Sequence, residues 1–301
     1  MELPDPQAPA GGLLIRTRAA GVNGFDLYHA NGYLVHVIAH EFPSIAGRDF
    51  AGIVEAVGEG RTDVSVGDEV LGFVPASPPL HVGTYAELIS AGPELPIVRK
   101  PAGLSFETAA AIPLAGATAL DALDTIEAGP GAILLVVGAT GGVGSIAVQL
   151  AAQRGAIVIA TAKAGDEAEF VGSLGAAETI DYTAGDVVAA VRARYPDRID
   201  ALIDLVNRGD AFTAVSSLVR DGGRIATTMN AANLDAPAGR AIRATNVSGT
   251  PTRQKLADLA EQVAAGTLQI EIQQTFPLDE VAAAFSAFTA GTRGKLVLRV
   301  G

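Results

Sequence analysis

The chain has 301 residues, of which 49% are apolar and 18% charged, and it contains no cysteine. This apolar content suffices for one or two packed domains and excludes a disordered chain. The lack of cysteine excludes disulfides, thiolate nucleophiles and cysteine-ligated zinc or iron–sulfur centres. The net charge of −12 argues against binding to nucleic acid or to anionic membrane surfaces.

The sequence carries no visible signal for export or membrane insertion. The first residues, Met1–Pro6, lack the basic and apolar regions of a secretion signal. Apolar runs such as Ala132–Val137 are far shorter than the roughly 20 residues that cross a bilayer. We therefore expect a soluble, cytoplasmic protein without membrane partners.

The first hundred residues predict short strands joined by tight turns. They are rich in Gly and Pro and contain β-branched runs, for example Ile53–Val57 and Glu69–Val74. An alanine-rich helix is predicted over Ser105–Asp124, with Ser105 in its N-cap region. We place a domain junction in this helix, which gives one domain of residues 1–110 and 251–301 and a second of residues 111–250.

The middle of the chain alternates between strand and helix patterns. Ala132–Val137 is apolar throughout, as in a strand covered on both faces, and the amphipathic segment Val143–Arg154 and the strand Ile157–Ala160 follow. This alternation predicts a doubly wound parallel α/β sheet. Further strands are predicted at 178–181, 201–206, 224–228 and 245–248, and helices near 166–174, 184–194 and 209–219.

The last fifty residues return to a different pattern. A helix is predicted over Lys255–Ala265, an alternating strand over Leu268–Ile272, a helix over Leu278–Ala290 and a strand over Lys295–Val300. Because this tail resembles the first segment more than the middle, we expect it to complete the first domain.

The strongest chemical signal is a glycine-rich turn where the strand at 132–137 becomes a helix. In the G-x-G-x-x-G frame, Ala139 replaces the first glycine, Gly141 lets the backbone approach a pyrophosphate and Gly144 lets the helix pack on the strand. The helix N-terminus adds free N–H groups. A purely structural turn is the alternative. The predicted dinucleotide-binding residues of this turn are Ala139, Thr140, Gly141, Gly142, Val143 and Gly144.

The end of the next strand favours NADPH over NADH. No carboxylate stands directly at Ala160–Ala162, where one would bind the ribose hydroxyls of NAD, and Lys163 follows. Lys163 would attract a 2′-phosphate, and Tyr182 at the end of the third strand could hold the same group. Asp166 and Glu167 dilute this field, and Lys163 as an ordinary solvated lysine is the alternative.

A further set of short motifs follows in order along the chain. The motifs are Ala19–Asn23 with Asp26, Gly47–Gly52, Val66–Val70, Gly83–Glu87, Lys100–Phe106, Ala109–Pro113, the glycine turn and Gly294–Leu298. In this order they resemble the medium-chain dehydrogenase/reductases, in the zinc-free quinone oxidoreductase and enoyl reductase branch. The resemblance implies a Rossmann domain inserted into a GroES-like β-rich catalytic domain, and frequently a homodimer.

The resemblance also implies that no metal is bound. Asn23 and Gly47–Arg48–Asp49 stand where the zinc branch has its cysteine and its Gly-His-Glu. His40 and Glu41 are adjacent in an extended segment and point apart, so we do not expect them to bind a metal together. The remaining histidines, His29, His36 and His81, are expected to pack or to form hydrogen bonds.

The family implies hydride transfer from NADPH to a quinone or to an α,β-unsaturated carbonyl, without zinc. Asn23 and Tyr28 lie in a segment that lines the nicotinamide end of the cleft in relatives, and Tyr33 is near a family tyrosine. Asn23 is a candidate for orienting a carboxamide or the substrate carbonyl, and the proton would come from a tyrosine or from water. A capping Asn and buried tyrosines are the alternatives.

Four further residues are predicted on the cofactor side. Thr118 lies in a segment that approaches the nicotinamide in relatives, whereas Val206, Asn207 and Met229 follow strands at the carboxyl edge of the sheet. Relatives often have glycine where Asn207 stands. The substrate pocket is expected to take its shape from loops 33–46, 76–82 and 230–250.

Two other functions and one question about the start of the chain stay open. A decayed NADPH-binding protein acting as a sensor or scaffold would bind the cofactor without turnover, and a zinc-independent alcohol dehydrogenase would oxidise alcohols reversibly. Relatives also start with about twenty further residues, so either this chain is shortened or its first domain lacks an edge strand. The latter would expose the edge at Leu13–Arg16 for pairing with a neighbouring chain.

Overall fold

The structure of the chain is a computed structural model that describes residues 3–232 and 240–301. The chain divides into two compact units: unit 1 is Met1–Ala117 with Pro251–Gly301, and unit 2 is Thr118–Thr250. The predicted boundary after residue 110 therefore lies before the observed junction. The tail after residue 250 belongs to unit 1, with the first segment.

In its described residues, unit 1 contains a seven-stranded sheet and four α-helices of its own. Its strands are β1 (Leu13–Gly21), β2 (Asp49–Val57), β3 (Glu69–Phe73), β4 (Leu88–Ala91), β5 (Ile97–Arg99), β12 (Ile272–Pro277) and β13 (Lys295–Arg299). Its helices are α1 (Gly24–Ala30), α2 (Phe106–Ala110), α8 (Arg253–Ala264) and α9 (Val281–Thr289), and a single 3-10 turn, Leu278–Glu280, precedes α9.

Unit 2 alternates strands and helices. Its strands are β6 (Ile133–Val137), β7 (Ile157–Thr161), β8 (Glu178–Ile180), β9 (Ile199–Asp204), β10 (Val219–Thr227) and β11 (Arg243–Asn246). Its helices are α4 (Gly142–Gln153), α5 (Asp166–Ser173), α6 (Val187–Arg194) and α7 (Gly209–Ser216); α3 (Pro113–Ile126) contains the junction with unit 1.

The strand β1 lies inside the sheet of unit 1, so the alternative of an exposed edge at Leu13–Arg16 does not hold. The sheet order is β12-β13-β1-β2-β3-β5, and β4 also pairs with β1. Leu13–Arg16 pairs with β2 on one side and with Leu88–Ala91 on the other. The second half of β1 pairs with β13, which brings the end of the chain beside its beginning.

Two predicted elements of unit 1 differ in the structure. The helix expected over Ser105–Asp124 is split into α2 and α3 at Pro113, because proline has no N–H for a continuous helix and restricts the preceding residue. The strand expected over Leu268–Ile272 begins only at Ile272. The Leu268 N–H instead donates to the Gln262 carbonyl at the end of α8, 3.2 Å away.

The sheet of unit 2 is parallel throughout, with the order β11-β10-β9-β6-β7-β8. The predicted doubly wound arrangement is therefore confirmed, and the strand order reverses at β6 and β9. The central strand β6 is buried along Leu134–Val137, as its unbroken apolar sequence predicts. The carboxyl ends of β6, β7, β8, β9 and β10 share one edge, where an open parallel sheet binds ligands.

No helix among residues 3–232 and 240–301 is long and apolar enough to cross a membrane.

Candidate active site

The glycine turn joins β6 to α4, as the sequence predicts, and its backbone fits a pyrophosphate. A side chain at Gly144 would place its Cβ 2.1 Å from the Gly138 carbonyl oxygen, so only glycine allows α4 to start this close to the strand. A Cβ at Gly141 would meet only the same oxygen, at 3.6 Å. The open space at Gly141 and the first N–H groups of α4 can therefore accept a phosphate.

The loop after β9 is held by the buried carboxylate of Asp204. Asp204 accepts hydrogen bonds from the backbone N–H groups of Val206, at 3.0 Å, and Asn207, at 2.9 Å. The Asn207 side-chain amide donates to the second carboxylate oxygen at 3.0 Å. The asparagine that replaces a common glycine thus anchors its own loop, while the Val206 side chain is 54% exposed at the sheet edge.

The structure also places Thr118 and Met229 in unit 2. The Met229 N–H donates to the Thr227 hydroxyl oxygen at 3.1 Å, which fixes the turn directly after β10. Thr118 is buried beneath Gly249, where an added Cβ would contact the threonine hydroxyl. Residues 233–239 of the predicted pocket loop 230–250 lie outside the described residues.

Lys163 and Tyr182 follow β7 and β8 at the same edge, and a third residue, Glu167, joins them. The Glu167 carboxylate accepts the Lys163 backbone N–H at 2.9 Å, and the Tyr182 hydroxyl donates to it at 3.2 Å. The side chains of Lys163 and Tyr182 are exposed. The sequence indicated this carboxylate only as a nearby charge; its hydrogen bonds follow from the tertiary structure.

Unit 1 contains a buried polar network centred on Asn23. Lys295 donates from Nζ to the Asn23 Oδ1 atom at 2.5 Å and to the Val22 carbonyl at 3.0 Å. The Asn23 Nδ2 atom donates to Asp49 at 2.9 Å and to Asp26 at 3.4 Å. Because an ammonium group can only donate, the contact with Lys295 fixes the orientation of the amide, with Oδ1 toward the lysine and Nδ2 toward the aspartates.

This network holds Asn23 in place, whereas the sequence predicted a contact with the nicotinamide or the substrate. The residue is 8% exposed, and its backbone N–H, at the start of α1, donates to Asp26 at 2.9 Å. Asn23 therefore caps α1 and connects β13 to β2. Its contact with substrate stays a prediction.

The two aspartates of the network are buried carboxylates with raised pKa values. Burial raises the pKa of Asp26 to about 7, with a further contribution from the charge of Asp49. Burial also raises the pKa of Asp49 and lowers that of Lys295, which their mutual attraction opposes. The Tyr85 hydroxyl donates to Asp26 at 3.2 Å. Burial thus disfavours the charged form of each group, and the pair of aspartates can hold a proton near neutral pH.

A second group of hydrogen-bonded side chains in unit 1 joins Arg48, His29 and Ser44. The Ser44 hydroxyl donates to the Leu80 carbonyl, so it accepts from His29 Nε2, and His29 Nδ1 accepts from the Arg48 guanidinium at 3.0 Å. This arrangement requires a neutral histidine. Burial and the Arg48 charge lower the pKa of His29 to about 4, in agreement with it. His29 is therefore a hydrogen-bonding residue, as predicted.

The two candidate tyrosines are on the surface of unit 1. Tyr28 lies in α1 and is 40% exposed, and Tyr33 is 67% exposed in the following turn. Their ring centroids are 5.9 Å apart. The structure thus brings these two hydroxyl-bearing side chains together. Across the described ranges, no three His, Asp or Glu side chains converge as a metal-binding group.

Comparisons with known proteins agree with this fold. Residues 9–101 match the family model of the alcohol dehydrogenase GroES-like domain, and residues 174–298 match that of zinc-binding dehydrogenases. A quinone oxidoreductase of Pseudomonas aeruginosa is 33% identical over 300 residues, which cover 94% of this chain and 90% of the relative.

Two further similarities cover nearly the whole chain. The chloroplastic NADPH-dependent alkenal/one oxidoreductase of Arabidopsis thaliana is 30% identical over 97% of this chain and 73% of its own length. The structure of the quinone oxidoreductase from Coxiella burnetii superposes with a TM-score of 0.89, at 33% identity, and the match covers 100% of this chain and 94% of that one. The predicted GroES-like and Rossmann folds are thereby confirmed, and the chain is an oxidoreductase that belongs to the quinone oxidoreductase branch of the medium-chain dehydrogenase/reductase superfamily.

Proposed function

We propose that this protein is an NADPH-dependent, zinc-independent reductase of quinones or α,β-unsaturated carbonyls. The glycine turn of unit 2 carries the proposal, because it offers backbone N–H groups and the open space at Gly141 at the carboxyl edge of a parallel sheet. The relatives named alkenal/one oxidoreductase and quinone oxidoreductase support the substrate class and the cofactor.

NADPH, when bound, supplies a hydride to the β-carbon of a conjugated enone or to a quinone. The backbone from Gly141 to Gly144 would hold the pyrophosphate, and Ala139 and Thr140 precede it in the same turn. At the sheet edge, the loops of Val206, Asn207 and Met229 would border the cofactor. These loops are held by Asp204 and Thr227, so they need little rearrangement on binding.

The side chains of unit 1 would complete the reaction. A hydroxyl of Tyr28 or Tyr33 would supply the proton that completes the reduction of a conjugated carbonyl, and water is the other source. Asn23, with its amide held by Lys295 and Asp49, would position this segment. Unit 1 would thus act as the catalytic domain and unit 2 as the dinucleotide-binding domain. A cytoplasmic homodimer is the proposed form of the enzyme.

The test is NADPH oxidation by the purified protein with a panel of quinones and conjugated enones, in the presence and absence of a metal chelator. We expect turnover that the chelator leaves unchanged. The Gly141→Ala variant is the matched control against contaminating reductases, because its activity should fall with its affinity for NADPH. Loss of turnover with the chelator would contradict zinc independence.

Two other results would replace the proposal. Binding of NADPH without turnover of any acceptor would indicate a cofactor-binding sensor or scaffold. Reversible oxidation of alcohols without metal would indicate an alcohol dehydrogenase.

Replacing Tyr28 or Tyr33 by phenylalanine tests the source of the proton. The substitution should lower kcat by about 100-fold if that hydroxyl is the proton donor, with the Kd of NADPH unchanged. An unchanged kcat in both variants would assign the proton to water.

A further inference from the structure

The residues at the ends of β7 and β8 form a subsite of mixed charge in unit 2. Lys163 is the cation that would attract a 2′-phosphate on the adenosine ribose. Asp166, Glu167 and Glu169 lie in the first turn of α5, and Asp181 follows β8. One lysine therefore stands among four carboxylates, and the field at this edge disfavours an additional phosphate dianion.

Glu167 differs from the other carboxylates because it is fixed between the two strand ends. It accepts the backbone N–H of Lys163 at 2.9 Å, which ties it to the loop after β7. It also accepts the hydroxyl of Tyr182 at 3.3 Å and 3.2 Å, through its two oxygens, which ties it to the loop after β8. The side chain is half-buried, so water screens it less than a fully exposed carboxylate.

The Tyr182 hydroxyl is the second group expected to hold a 2′-phosphate. It already donates its hydrogen bond to the Glu167 carboxylate. Burial, and then the charge of Glu167, raise the pKa of Tyr182. A phosphate would have to take this donor from the carboxylate and remain beside it. A ribose 2′-hydroxyl, in contrast, can donate to a carboxylate.

We propose that Glu167 is a specificity-determining residue of the dinucleotide site, which weakens binding of the 2′-phosphate and admits NADH as a second cofactor. The inference rests on the proposed function, because it assumes that the dinucleotide lies at this sheet edge. It concerns the ratio of the two affinities, whereas the proposed function requires only that NADPH binds and is oxidised.

The test is isothermal titration calorimetry of the wild type and of Glu167→Gln with NADP⁺ and with NAD⁺. The substituted amide would keep an oxygen that accepts the Lys163 N–H but would lose the charge. We expect the ratio of the Kd for NAD⁺ to the Kd for NADP⁺ to increase by roughly tenfold in the variant. The same measurement with 2′,5′-ADP and 5′-AMP isolates the adenosine end and should give the same increase.

Glu169→Gln is the matched control. It removes an equal charge two residues along the same helix, on a different face, from an exposed side chain. A ratio that changes less than about twofold in Glu167→Gln, or as much in Glu169→Gln, would overturn the role of Glu167. If neither dinucleotide binds the wild type, the proposed function falls as well; binding with an unchanged ratio overturns this inference alone.

Discussion

The two units place ionisable groups in opposite ways. Among the described residues of unit 1, Asp26, Arg48, Asp49 and Lys295 are all at most 4% exposed. In the described part of unit 2, one ionisable residue, Asp204, is buried. Its carboxylate accepts hydrogen bonds from backbone and side-chain amide N–H groups. The buried charges of unit 1 are therefore stabilised by other charged side chains. The buried carboxylate of unit 2 is stabilised by the N–H groups of one loop. Substitutions should reveal this difference in stability, pH dependence and binding.

The largest effect is expected from Lys295→Met. The methionine fills a similar volume but leaves Asp49 and the Asn23 Oδ1 atom without their cationic partner. Breaking a buried pair from one side costs about 3–5 kcal/mol of unfolding free energy. Urea denaturation measures it.

Arg16→Met is the control for Lys295→Met. Arg16 also pairs with a carboxylate, that of Glu55, but both side chains are about 40% exposed, so little stability should be lost. Equal losses in the two variants would show that the buried network adds nothing specific.

The next effect is a pH dependence that Asp26 controls. Because its pKa is raised from 3.8 to about 7 in the folded protein, the folded state keeps a proton that the unfolded chain has released. The contribution of Asp26 to the unfolding free energy is therefore largest below about pH 4, declines as the pH rises to about 7 and is constant above that pH. The decline is at most about 1.4 kcal/mol for each pH unit, the limit for one proton.

Asp26→Asn should remove most of this slope, because the amide keeps an acceptor for Tyr85 and the Asn23 N–H but does not titrate. Unfolding free energies of both proteins between pH 4 and pH 8 measure it. A slope that persists in Asp26→Asn and disappears in Asp49→Asn would assign the proton to Asp49 instead.

In unit 2, two glycines of one turn should respond differently to alanine. Gly144→Ala places a methyl group against the Gly138 carbonyl and should cost about 1–3 kcal/mol of stability through backbone displacement. Gly141→Ala meets open space, and its extended φ of −72° suits alanine, so the melting temperature should stay close to that of the wild type.

The affinity for NADPH separates these glycines further. The Gly141 methyl group would occupy space that the pyrophosphate needs, so the Kd should rise by roughly tenfold or more. Calorimetric titration and thermal unfolding of both variants give the comparison. A Gly141→Ala variant with wild-type affinity would contradict the placement of the pyrophosphate at this turn.

The smallest effect is expected from Asn207→Gly. The change removes the amide hydrogen bond to Asp204 but leaves the two backbone N–H donors, so the loss should be about 1 kcal/mol. Chemical denaturation measures it. A loss as large as that of Lys295→Met would contradict the view that the backbone alone satisfies most of this carboxylate.

The elements with a strong local pattern follow from the sequence. The apolar run of β6, the turn Gly138–Gly144 and the helix α4 lie next to each other in the chain, so hydrophobic periodicity and glycine spacing predict them. Hydrophobic periodicity mispredicted two elements. The helix over Ser105–Asp124 is interrupted at Pro113, which cannot continue it, and Leu268 bonds to the end of the preceding helix α8 and not to a neighbouring strand.

The sequence by itself determined the two-unit α/β and β-rich plan, the glycine turn and the residues that follow each parallel strand, because each depends on neighbours in the chain. Only the tertiary structure showed that Lys295 contacts Asn23, 272 positions away, and that Asp49 accepts a hydrogen bond from the same asparagine. Only the tertiary structure showed that the Tyr182 hydroxyl donates to Glu167. Such contacts depend on the pairing of β1 with β13 and of β7 with β8, and burial then sets their pKa values and hydrogen bonds.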